Sequence, residues 1–358
     1  MDGNERSAWT AVLPQNAQLN GVTEIAAANG WAVGAASDQA SLASQTLAYH
    51  WDGTAWQRFP TPDPAGASSS NVLNAVAARA ANDVWVAGGD AFPEKSLVLR
   101  WNGSTWAQVG IPNVGALHAV AVSQASVWVA GGNAVERFNG TTWTALPAPP
   151  GAGVSITGLA STVGGLWAVG FQSFICGEGG TCNSSYAALW NGNTWTAVPA
   201  GGGTGLAGVV AAGPAVLAAG GTGVWQLSST GSRATPQVIP TQNPAELTAI
   251  AADPAGNTWS AGWTDNQGTI APGIINAPGI GQGGIDVTAG AAGATVSWIG
   301  PANGSGGTDP SGQFATGGLP AGTYTVIASL SGCQPGVATA TIAAGTATPV
   351  NAQITCPS

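Results

Sequence analysis

The stretch LNAVAARAANDVWVAGGDAFPEKSLVLRWNGSTWAQV, residues 73–109, decides how the rest of the chain is read. An apolar run headed by Leu73 leads through a short turn into a second run, VWVAGG. A loop follows, then the run LVLRW, then an Asn-Gly turn into STWAQV. The runs are short, alternate in polarity and are bounded by Gly, Asn, Asp and Pro. That pattern predicts strands rather than helices.

The pattern recurs. First runs begin at Leu19, Leu73, Leu117, Ile156, Leu206 and Leu247. Second runs read GWAVGA, VWVAGG, VWVAGG, LWAVGF, VLAAGG and TWSAGW, and four hairpins read YHWDGTAW, LRWNGSTW, ERFNGTTW and ALWNGNTW. Four strands every 40–50 residues or so is the spacing of propeller blades. About six copies fit between Leu19 and Asn276, the last two degenerate. The opening segment SAWTAVLP, residues 7–14, matches the last strand of a repeat, as in TWTALP from Thr142. It is expected to complete the last blade and close the ring.

Glycine doublets at Gly88-Gly89, Gly131-Gly132 and Gly220-Gly221, followed by the aromatic pairs Trp101/Trp106, Phe138/Trp143 and Trp190/Trp195, resemble the kelch-type propeller motif. The resemblance covers about three quarters of the chain and departs at Gly34-Ala35, Gly170-Phe171 and Gly262-Trp263. It implies a fold and no particular activity, because propellers host many. Kelch-type copper enzymes need Tyr, Cys and His ligands; here Tyr49, Tyr186 and Tyr324 are dispersed, so that activity is not carried over.

The repeats stop at a Gly/Pro-rich linker, residues 278–284, which leaves a propeller over residues 1–277 and a second domain over residues 285–358. GIDVTAG, ATVSWIG, GTYTVIASL and ATATIAAG read as strands of a small β-sandwich. The stretches TDPSGQF at Thr308 and LPAGTYTV at Leu319 resemble the carboxypeptidase regulatory-like (prealbumin-like) and Cna-B-like sandwiches of secreted proteins. The isopeptide bond of some Cna-B-like domains needs a lysine, and the single lysine, Lys95, lies in the repeats. The expected class is therefore all-β: a six-bladed propeller plus a C-terminal prealbumin/Ig-like sandwich.

Composition excludes several functions. Charged residues make up only 6% of the 358, and the net charge is −9. An ordinary soluble domain carries roughly 25% charged residues. Seven scattered Lys and Arg cannot form the basic patch that nucleic acid or an anionic membrane needs. No apolar run approaches the ~18 residues of a membrane span. The uncharged polar surface would change little on acidification, which suits an exposed, acidic extracellular setting. No signal peptide is visible at the start of the chain. The four cysteines allow three pairings. The local one, Cys176–Cys182 with Cys333–Cys356, needs the least rearrangement and points to an oxidising compartment. Neither pair has zinc-ligand spacing, and no metal or cofactor is expected.

No catalytic motif is present, so an enzyme is not expected. His50 reads as a strand residue on a blade face, and Asp83 and Asp253 as turn residues bonding backbone N–H groups. The Asn-x-Ser/Thr triplets at Asn102, Asn139, Asn183 and Asn303 read as turn chemistry. The tryptophan pairs beside the Asn-Gly turns read as packing between strands and blades rather than as a ligand platform.

Candidate binding residues fall in two groups. One lies on the variable loops between second and third strands: Phe171, Phe174 and Glu178 in the longest loop, and Asp265 in another. The other is a ring of polar residues second in the first strands, Asn20, Asn74, His118, Thr157 and Thr248, placed to line a central channel with a ligand or with water alone. The expected function is recognition or adhesion outside the cell, non-enzymatic, with an extracellular glycan or protein as partner. The alternatives are a self-associating subunit of a filament or surface layer, and a propeller lyase or hydrolase using Glu178 or Asp265.

Overall fold

Turn chemistry sets the frame. The computed structural model describes residues 14, 16–26, 28–37, 43–66, 69–91, 94–177, 179–200, 203–212, 215–221, 223–227, 235–237, 244–252, 258–266, 269–277, 282–301, 303–320, 322–342 and 347–357. Asp52, Asn102, Asn139 and Asn191 open four equivalent turns. Each accepts, through its side-chain oxygen, the backbone N–H groups two and three residues on, at 2.8–2.9 Å. The glycine that follows, Gly53, Gly103, Gly140 or Gly192, lies at φ 94, 98, 99 or 101°. A tight two-residue turn would need two positive-φ residues. The structure has one, because a side-chain acceptor can stand in for backbone and a four-residue turn results.

Each of these turns joins the third and fourth strands of one blade. Blade 1 comprises β1 (Ala17–Ala26), β2 (Asn29–Ser37), β3 (Ser44–Trp51) and β4 (Trp56–Phe59). Blade 2 comprises β5 (Asn71–Ala80), β6 (Asp83–Ala91), β7 (Glu94–Trp101) and β8 (Trp106–Gln108). Blade 3 comprises β9 (Ala119–Val122), β10 (Val127–Gly131), β11 (Ala134–Phe138) and β12 (Trp143–Ala145). Blade 4 comprises β13 (Val154–Thr162), β14 (Gly165–Cys176), β15 (Gly180–Trp190) and β16 (Trp195–Val198). Blade 5 comprises β17 (Gly208–Ala212), β18 (Ala215–Gly220), β19 (Gly223–Leu227) and β20 (Thr235–Gln237). Blade 6 comprises β21 (Pro244–Ala252), β22 (Thr258–Asn266) and β23 (Thr269–Ala277). Each sheet runs in chain order. The N-terminal strand expected to complete blade 6 lies outside the described residues, apart from Pro14.

First strands stand side by side, β1 by β5, β5 by β9, β9 by β13, and β1 lies by β21, so the sheets follow one another round a ring as a propeller. The Leu or Ile that heads a first strand ties that strand to the blade before it. Leu117 N–H donates to Gly88 O (3.0 Å), Ile156 to Gly132 (2.7 Å), Leu206 to Gly170 (2.9 Å) and Leu247 to Gly221 (2.7 Å). Leu73, Leu117, Ile156, Leu206 and Leu247 are buried in these junctions, whereas Leu19, at the junction with blade 6, is exposed.

The first glycine of the doublet position has a steric cause. A Cβ at Gly34, Gly88, Gly131, Gly170 or Gly220 would strike the carbonyl oxygen of Gln18, Val72, Ala116, Ser155 or Gly205, where the first strand crosses the second. The residue after it varies, from Ala35 through Gly89 to Phe171. The crossing requires only the first glycine, while Gly132 and Gly221 lie at φ 54 and 53° where blades 3 and 5 turn.

Apolar cores lie between blades rather than within them. Blades 1 and 2 share Trp31, Val33, Leu73, Val86, Leu99, Trp101 and Trp106. Trp31 sits with its ring 5.0 Å from both Trp101 and Trp106 of the next blade, and Trp85 sits 5.5 Å from Phe138. Trp51/Trp56, Trp101/Trp106, Phe138/Trp143 and Trp190/Trp195 are directly opposed in register. Each buried aromatic at such a junction adds about 1 kcal/mol beyond its area.

The chain divides into two compact units, the second built chiefly from residues 276–358. Its strands are β24 (Gln282–Thr288), β25 (Thr295–Ile299), β26 (Gly304–Gly307), β27 (Gln313–Pro320), β28 (Gly322–Ser329), β29 (Gly336–Ile342) and β30 (Ala347–Asn351). They form two sheets, β27-β24-β30 and β26-β25-β28-β29, over a core of Ile285, Val287, Val296, Tyr324, Val326 and Ile342. Cys333–Cys356 ties the turn before β29 to the C-terminal segment, beside the Gln334–Thr355 bridge.

Candidate functional site

The long segment of blade 4 is a hairpin rather than a loop. β14 and β15 stay paired from Leu166↔Trp190 out to Cys176↔Gly180. β13 stops pairing at Gln172, and β16 stops at Ala187. Beyond those points each strand makes one more backbone bond to a neighbouring segment, Ser173 to Gly153 and Ser185 to Gly203, and the pair then continues as a ribbon closed by the Cys176–Cys182 disulfide. In blades 3 and 5 only two residues separate the second strand from the third. The ribbon of blade 4 therefore stands between two short neighbours.

Its apolar residues divide. Phe171 is half-buried against Gly205, where the next blade's connection arrives. Phe174 and Ile175 are 48% and 81% exposed, and strand alternation sends them to opposite faces of the ribbon. Glu178 lies outside the described residues. Asp265 lies in β22, the second strand of blade 6, and so apart from the blade 4 ribbon.

The inner ring is a set of hydrogen-bonded bulges. At the matching place in β1, β5 and β13 the register skips a residue: Asn20, Asn74 and Thr157. A bulge re-aims its side chain. Here each reaches the next blade: Asn20 Nδ2 donates to Leu73 O (2.9 Å), Asn74 Nδ2 to Leu117 O (2.8 Å) and Thr157 Oγ1 to Leu206 O (2.6 Å). His118 and Thr248 are exposed at equivalent places. Asn20, Asn74 and Thr157, three of the five polar residues of this ring, thus hold neighbouring blades together.

Asp83 is a hub rather than a turn residue. Its carboxylate accepts Arg79 Nε (2.6 Å), Arg100 Nε (2.9 Å) and Trp85 Nε1 (2.8 Å). Arg79 Nη1 also reaches Ser123 O of blade 3 at 3.0 Å. Burial pushes the Asp83 carboxyl up, but the two guanidinium groups outweigh it and hold it below the usual range. Asp52 is also held low, by the Thr54 hydroxyl and the N–H groups of Ala55 and Thr54.

Glu136 is the exception. It is buried on the blade 2 side of β11, opposite Val129, with no hydrogen-bond partner, and burial raises its pKa. The repeat places Tyr49, Leu99 and Ala188 at the matching position. Aligning the four hairpins exposes this residue, although sequence reading passed over it. Because its folded pKa lies above the ordinary value, folding favours the protonated form. Its contribution is most favourable below the ordinary glutamate pKa and is lost as pH rises through the folded one. Glu136→Leu is expected to raise stability at pH 7 by about 1 kcal/mol or less, the low end for burial of a polar group, because the carboxylate oxygens still reach water. The gain should shrink at pH 4. Melting curves of both proteins at the two pH values test this, and an equal gain at both would refute it.

Residues 285–355 match the carboxypeptidase regulatory-like domain. The second unit is a domain of that kind. None of the curated proteins matches the chain. Among solved structures, YCF48 bound to D1 peptide is similar at 16% identity over 73% of this chain and 82% of that one, with a TM-score of 0.46. YCF48 from Cyanidioschyzon merolae is similar at 15% identity over 74% and 87%, with a TM-score of 0.47. PorZ, a surface component of the type-IX secretion system of Porphyromonas gingivalis, is similar at 12% identity over 88% and 58%, with a TM-score of 0.42. The propeller assignment stands on the sheets and their inter-blade bonds.

Proposed function

We propose that this chain is a secreted or cell-surface recognition protein, non-enzymatic, which binds a protein or glycan through the face bearing the hairpins between second and third strands. The observation that carries this is the blade 4 ribbon: Phe174 and Ile175 exposed on a disulfide-clipped hairpin between two minimal ones. Exposed apolar groups on a rigid projection mark interaction sites. Two disulfides fit an oxidising environment. The non-enzymatic reading is supported by the duties of the acidic groups: Asp52 and Asp309 cap turns, Asp83 binds two arginines, and Glu136 is buried. Kinship of the repeats with kelch-type propellers is part of the same proposal and rests on the close-approach glycine and the opposed aromatic pair.

The test is binding of the full chain to arrays of glycans and of extracellular proteins, alongside Phe174→Ser/Ile175→Ser. The double variant should lose at least about 10-fold in affinity for any target found, with the melting temperature unchanged, since both side chains are exposed. Full retention of binding would remove the ribbon from the recognition surface.

A further inference from the structure

The ribbon offers more than two apolar side chains. Ser173 N–H donates outward to Gly153 O (2.9 Å), and Ser185 N–H donates outward to Gly203 O (3.1 Å). Outward-pointing backbone groups recur every second residue. That alternation places Ile175 on the β14 edge, and Thr181 and Asn183 on the β15 edge, with their N–H and C=O groups facing away from the ribbon. Among the described residues, none of these backbone groups bonds another segment. Natural proteins guard open edges with Lys, Pro or bulges. Residues 173–176 and 181–184 contain no Lys, Arg or Pro, and the pairing is regular to the tip.

We infer that the β15 edge at Thr181 and Asn183 takes a strand from another protein, an extended, apolar, neutral-to-basic segment, and this rests on the recognition role proposed for the ribbon. Two residues spaced by one present two donors and two acceptors, the ladder that an added strand satisfies. Phe174 and Ile175 cover the two faces beside it, so the added strand needs apolar residues of its own. The disulfide holds the edge in its bound form and lowers the ordering cost. Charge discriminates between occupants. Residues 171–186 carry one charged side chain, Glu178, and the whole chain carries −9. A second copy is repelled by that net charge, whereas a neutral or basic segment is not.

The experiment is selection of a displayed library of ten-residue linear peptides on the immobilised full chain, followed by anisotropy titration of a synthesised winner. Winners should be uncharged or basic with alternating apolar residues. Asn183→Pro and Thr181→Pro, each removing one outward N–H where proline is tolerated, should weaken binding about 10-fold or more. N-methylation of alternate residues of the peptide should do the same on one edge only, independently of how the variants fold. No enrichment, or winners indifferent to both prolines and to N-methylation, would overturn the inference. Winners sensitive to Phe174→Ser but not to proline would keep the recognition role and remove the edge mode. A dimer seen by light scattering that Asn183→Pro dissolves would assign the edge to a second copy instead.

Discussion

Gly88→Ala is expected to destabilise the propeller by about 3 kcal/mol or more, at or above the upper end for overpacking. The added methyl would meet the Val72 carbonyl oxygen, and Leu73 Cα lies just behind it. Neither can give way as a side chain would. Both belong to β5, which is held by the β5–β6 ladder and by Asn20 from blade 1. Moving Leu73 would also draw a fully buried side chain out of the core between blades 1 and 2. Gly110→Ala is the control: its Cβ meets nothing within 4 Å and its φ is not left-handed. It should be neutral or gain a few tenths of a kcal/mol from reduced unfolded-state freedom. Urea unfolding midpoints of the two variants decide the matter, and equal midpoints would sink the close-approach explanation of the repeat's glycine.

The second large effect lies in the carboxypeptidase regulatory-like domain. Removing both Cys333 and Cys356 by serine substitution opens a link across 23 residues of sequence. Loop entropy assigns such a link about 3 kcal/mol, with measured losses for small domains of about 2–5. A domain of this size has a net stability of the same order. Its melting temperature should therefore fall by about 10–20 °C, or the domain should not fold at 37 °C. The Cys176→Ser/Cys182→Ser variant opens a link across only six residues of sequence, at the tip of a ribbon outside the inter-blade cores, and should leave the main transition in place. Calorimetry of the full chain resolves the two cases. Equal losses from both variants would refute the assignment.

The strands were legible because their signals are local. Alternating runs between Asx-Gly turns need only about ten residues to be read, and the turns at Asp52, Asn102, Asn139 and Asn191 do what their residue types allow. The same reading misjudged detail wherever one residue type has two uses. Asp83, placed where a turn aspartate would be, faces two arginines that sequence spacing alone does not bring together.

The sequence by itself determined the repeat, the strands of the blades and of the sandwich, and the aromatic pairs across each hairpin, since each follows from periodicity or turn chemistry within a few residues; the structure decided among the three cysteine pairings. Only the tertiary structure decided what crosses between blades. Asn20 finds Leu73 at 53 residues' distance, Asn74 finds Leu117 at 43, and Thr157 finds Leu206 at 49. A bulge that turns a side chain toward the next blade leaves no mark in polarity alternation, so polar residues that looked free to meet a ligand are bound to the neighbouring blade. The height of the blade 4 ribbon, the burial of Glu136 and the open edge at Thr181 and Asn183 are set in the same way, by where neighbouring blades begin and end.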